Sequence, residues 1–130
     1  MKKYLILISS LIILITFFSC KKHIENKLEG DWRQVNVINP YSDVFVDWIF
    51  KDGNLNIIQT YADSTGIDTL AYGQYIIKDK FPLFKRILSI TQCTNPAYIG
   101  DWKILKLNHS ALEIALQKDD LTYYEFTPNN

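Results

Sequence analysis

Histidine and cysteine are scarce in this 130-residue chain, with two of each. His23 and His109 have no metal-binding neighbour in sequence, and no His-x-His or Cys-x-x-Cys pair gives the spacing of a zinc site. The adjacent Asp119 and Asp120 point apart, whereas calcium needs about six to eight oxygens. No serine sits in a Gly-x-Ser-x-Gly elbow. Asp43 and Asp47 lie on one extended run about 13 Å apart, too far to share a proton. These absences leave no nucleophile, acid–base pair or metal cluster, so neither an enzyme nor a cofactor or metal is expected. Charge of one sign is missing too: 14 basic side chains stand against 14 acidic ones. That balance offers no footprint for nucleic acid, and no long single-sign run marks a charged partner.

Long apolar runs are also lacking, with one exception at the start. From Tyr4 to Phe18 there is no charge; Lys2 and Lys3 precede the run, and Ser19 and Cys20 close it. A basic start, an apolar middle and a small residue before the cut are the parts of a secretory signal. Leu14-Ile15-Thr16-Phe17-Phe18-Ser19-Cys20 resembles the lipobox of bacterial lipoproteins. That resemblance implies a signal over residues 1–19, cleavage before Cys20, and a diacylglyceryl cysteine that carries palmitate-like chains. The alternatives are a retained transmembrane helix, which needs about 17–25 residues, and ordinary cleavage without lipid. Two or three acyl chains hold a protein firmly where one holds marginally. No Asp follows Cys20, which favours the outer membrane with the protein facing the periplasm. Residues 20–27 then read as a solvated polar tether, with Lys21, Lys22, His23 and Lys27 near the headgroups. An acylated Cys20 cannot pair with Cys93, which is expected to be a small buried apolar residue rather than a reactive thiol.

Removing residues 1–19 leaves 111 residues, enough for one domain with its own core. Helical periodicity is hard to find in them. Short alternating apolar runs recur instead, separated by turn residues, and these read as strands. Eight are expected: 28–38 with a bulge between Trp32 and Val35, 44–50, 55–61, 69–78, 86–92, 101–107, 111–117 and 121–127. In the second, Val44, Val46, Trp48 and Phe50 share a face. Lys51-Asp52-Gly53-Asn54 is a tight hairpin. No connection is long enough for a crossover helix, so successive antiparallel pairing follows. The fold class is therefore all-β: an eight-stranded antiparallel up-and-down barrel over residues 28–130, closed because closure removes exposed edges.

Gly30-Asp31-Trp32 after Leu28, Trp48-x-Phe50-x-Asp52-Gly53, Trp102-x-Ile104-x-x-Leu107 and Tyr124-Glu125-Phe126 together resemble the lipocalin-like superfamily, in the form of the small domains of secreted bacterial lipoproteins. Gly30 and Trp32 would form its structural motif at one barrel end. A second Gly-Asp-Trp stands at 100–102, but little else repeats, and no duplication is read from it.

The resemblance implies a site for something small and apolar. An eight-stranded barrel either holds one such ligand or is filled by its own side chains. The inward candidates are Trp32, Trp48, Phe50, Tyr72, Leu105, Leu107, Leu112, Ile114, Tyr124 and Phe126. Trp48 and Tyr72 are the expected pocket wall, since Asp47 and Gln74 beside them would set polar groups near the mouth. Two functions remain open. One is a lipid-anchored barrel binding a small apolar ligand in the cell envelope. The other is a filled barrel acting as a structural or protein-interaction module, docking an envelope protein through Phe81-Pro82-Leu83-Phe84 or Pro96-Ala97-Tyr98-Ile99.

Overall fold

Alternation along each run decides which side chains enter the barrel, and eight such runs close on one another. The computed structural model describes residues 22–35, 43–63, 66–80, 85–118 and 122–129. The leader, Cys20 and the Phe81-Pro82-Leu83-Phe84 segment lie outside these. The strands are β1 (Gly30–Gln34), β2 (Val44–Lys51), β3 (Asn54–Tyr61), β4 (Ile67–Lys80), β5 (Lys85–Cys93), β6 (Gly100–Leu107), β7 (Leu112–Leu116) and β8 (Tyr123–Pro128). Each pairs antiparallel with the next, and β8 pairs back onto β1 with Trp32 opposite Pro128. The β2–β3 hairpin turns at Asp52 and Gly53, both at positive φ, as a two-residue turn of this twist requires.

Inside stand Trp48 and Phe50 from β2, Leu55 and Ile57 from β3, and Ala71, Tyr75 and Ile77 from β4. Leu88 and Ile90, Trp102, Leu112 and Ile114, and Phe126 complete the core from the later strands. Gly73 of β4 allows a close approach: a Cβ there would run into the Gln92 carbonyl oxygen of β5.

Several expectations change. Residues 22–28 form a short helix, α1, instead of a solvated tether, and Leu28 belongs to it rather than to the first strand. Ile24 and Leu28, four residues apart on one helical face, are 2% and 0% exposed and join the barrel core. The strand begins at Gly30 and runs in unbroken register opposite Phe50 to Asp47. Register shifts fall at Ile57/Ile58, Gln74/Tyr75 and Ile104/Lys106 instead of in β1. Leu105 sits inside the last of these and is 55% exposed, outside the barrel it was expected to fill. Tyr72 is also outside, at 49% exposure, because Ala71 and Gly73 on either side of it take the inward positions of β4.

The two Gly-Asp-Trp segments do the same job at opposite ends. At one end α1 leads into Gly30, and the Trp32 indole N–H donates to the Leu28 carbonyl at 2.8 Å. At the other a 3-10 turn (Pro96–Tyr98) leads into Gly100, and the Trp102 indole N–H donates to the Tyr98 carbonyl at 3.0 Å. Gly30 and Gly100 adopt φ of 134° and 150°, a region side-chain-bearing residues avoid. The Asp31 carbonyl accepts from the Asn129 amide at 2.9 Å, and the Asp101 carbonyl from the Gln117 amide at 2.8 Å. Each end is thus closed by a helical turn, a glycine kink and a buried indole.

Candidate functional site

The lumen is where an eight-stranded barrel would hold a ligand, and Trp48 stands in it, 0% exposed. Its ring centroid lies 5.2 Å from Tyr98, 5.2 Å from Phe126, 5.5 Å from Tyr124, and 6.2 Å from both Phe50 and Trp102. Most of these contacts are tilted or edge-to-face, the favoured aromatic arrangements. Phe50 continues the stack edge-on to Tyr75 at 5.1 Å. Rings from β2, β4, β6, β8 and the 3-10 turn therefore meet inside the barrel.

One polar group in this cluster has no partner. The Trp48 indole N–H is buried without an acceptor. Indole nitrogens normally find one when buried, and both other tryptophans do. The half-buried Tyr98 and Cys93 pack against the same core. Burial, with smaller contributions from Tyr124 and Cys93, raises the Tyr98 phenol above its ordinary value. Cys93 carries no disulfide.

The polar mouth foreseen beside Trp48 and Tyr72 does not form. Tyr72 faces outward; its hydroxyl lies 3.4 Å from Asn54 Oδ1, and its amide donates to Thr94 Oγ1 at 2.9 Å. Gln74 is exposed on the same outer face. Asp47 also points away from the lumen, yet it is only 2% exposed. Arg33, its cross-strand partner, grips it through Nε at 2.8 Å and Nη2 at 2.9 Å, and Asn129 Nδ2 adds a contact at 3.3 Å. This hydrogen bonding holds Arg33 above its ordinary value, against the opposing effect of burial. Its guanidinium also lies 4.4 Å from the centre of the Phe45 ring. The sequence offered a signal for this pair, since Arg33 and Asp47 face each other once Gly30 is set opposite Phe50.

Among the described residues, clefts open on the outside. One of 680 Å³ lies between α1 and the β2–β3 turn, lined by Lys22, Glu25, Glu29, Asp52 and Tyr75 among others. Its wall mixes these charged side chains with Tyr75 and Ile76. Tyr75 reaches it from the core, and its phenol is pushed up to about 12 by burial first, then by Glu29, Glu25 and Asp52, against a hydrogen bond with the Gly53 backbone. Among the described residues no three His, Cys, Asp or Glu side chains gather to hold a metal. None of their helices is long and apolar enough to cross a membrane. No family model, curated protein or solved structure matches this chain.

Outside the barrel, β4 exposes Leu70, Tyr72 and Ile76 on one face, with Ile67 at its start. Ile99, at the end of the 3-10 turn, is exposed as well. Sequence reading missed the β4 stripe because the same residues alternate with Ala71, Gly73, Tyr75 and Ile77, and either set satisfies a period of two.

Proposed function

We propose that this chain is a lipoprotein of the cell envelope whose lipocalin-like barrel is filled by its own side chains and works as a protein-interaction module through its outer surface. The observation that carries the reading is Trp48, enclosed by five aromatic rings where a ligand would sit. Exposed apolar residues on β4 and at Ile99 supply contact area for a partner. The anchor rests on the leader and on Cys20; the lipocalin likeness rests on the Gly-x-Trp series and agrees with a closed eight-stranded barrel. A periplasm-facing outer-membrane location follows from the residues after Cys20.

A small-ligand reading is favoured by one observation, the unpartnered Trp48 N–H. A ligand bearing an acceptor oxygen would satisfy it. Native mass spectrometry of the acyl-free domain from its own cells, with crosslinking in intact cells, separates the two. A bare mass and a crosslinked envelope protein support docking; a copurified small molecule overturns it. Replacing Cys20 with Ala tests the anchor: the protein should leave the membrane fraction and lose its acyl mass. Retention through a cleaved, unacylated N-terminus would falsify the lipid assignment.

A further inference from the structure

We propose that the α1 end of the barrel stands against the anionic headgroups of the membrane that holds the anchor, and that the opposite end, bearing the 3-10 turn, points away. This rests on the reading that Cys20 is acylated. The first described residue of the folded body is Lys22, two positions after Cys20. Two trans peptide units reach about 7 Å at most. Lys22 itself lies at the cleft beside the β2–β3 turn, at the end of the barrel where the chain arrives.

The helix cannot swing as a tether would. Ile24 and Leu28 are sunk in the core, the Glu29 amide donates to the Glu25 carbonyl at 2.9 Å, and the Trp32 indole is bound to Leu28. An up-and-down meander also puts the β2–β3, β4–β5 and β6–β7 connections at this end. The acyl chains therefore hold a rigid body by one end at very short range.

Charge agrees with that orientation. The α1 end exposes Lys22, Lys27, Lys51, Lys85, Arg86 and Lys106, with His23 and His109. Glu25, Glu29, Asp31, Asp52, Asp79 and Glu113 are set among them, Glu113 pairing with Lys106 at 3.2 Å. The far end carries Asp43, Asp63, Asp68 and Asp101, the last paired with Lys78 at 3.5 Å, together with Lys118 and the Asp47-bound Arg33. Screening confines headgroup attraction to about 8 Å at physiological salt, so only the end in contact feels it. A charge-balanced, lysine-rich end meets anionic lipid readily, whereas the acidic end is repelled. The orientation leaves Tyr98 and Ile99 facing the envelope space, where a partner protein would find Ile99.

The test uses the mature acylated protein in nanodiscs containing phosphatidylglycerol and a gadolinium-chelating lipid, with amide relaxation read by NMR. Relaxation several-fold stronger at Lys51, Lys85 and His109 than at Asp63, Asp68 and Ala97 supports the proposal. Equal enhancement at both ends, or the reverse pattern, with the protein acylated and bound, overturns the orientation alone. A mature protein without acyl mass on Cys20 overturns the anchor and the orientation together. Inserting a flexible Gly/Ser linker between Cys20 and Lys22 should erase the contrast; an unchanged contrast contradicts orientation by the short connection.

Discussion

At the scale of the residue, Trp48 carries the core. Truncating it removes a fully buried indole with five ring neighbours, so Trp48→Ala should lower the unfolding free energy by about 3–5 kcal/mol, read by urea denaturation. Tyr75 gives the barrel an alkaline weakness. Its phenol ionises near 12 in the fold instead of the ordinary 10.0. The unfolded chain therefore releases this proton first, and stability present below pH 10 falls as pH rises towards 12. Tyr75→Phe should flatten the loss between those pH values in thermal melts. Side-chain identity told much of this: Trp48, Phe50 and Phe126 are inside as their alternation foretold. Tyr72 and Leu105 were misplaced because alternation alone does not choose which set faces inward. In β4 either alternate set is apolar enough to face the core, and in β6 a register shift turns Leu105 out.

At the scale of the element, the two barrel ends repeat one device that the sequence showed only as a repeated tripeptide. What makes the copies equivalent lies around them: a preceding helical turn, a carbonyl four residues back and an amide just past the end of the neighbouring strand. None of those is a repeated residue. The device yields a comparison. Gly30→Ala meets no atom within 4 Å and should suffer only the strained φ, about 1–2 kcal/mol. Gly100→Ala would also press Leu116 Cδ1 at 3.1 Å and should cost more. Chemical denaturation of both variants checks the order. The helix was missed for a related reason. Ile24 and Leu28 are one i, i+4 pair in seven residues, too short a pattern to register as periodicity, and the surrounding Lys, Glu and Asn read equally well as a tether.

At the scale of the whole molecule, eight alternating runs with short connections were enough to give a closed antiparallel barrel, because no connection allowed parallel pairing. Whether that barrel is empty or full depends on how rings from distant strands meet, and strand periodicity does not contain it. The account holds that the lumen is full. The most direct test is titration of the wild type and Trp48→Ala with a benzene-sized apolar probe, followed by calorimetry and tryptophan fluorescence. An engineered cavity of about 150 Å³ binds such a probe. The account predicts no binding to the wild type and binding to the variant. Stoichiometric uptake by the wild type, with a shift in its tryptophan emission, would contradict it.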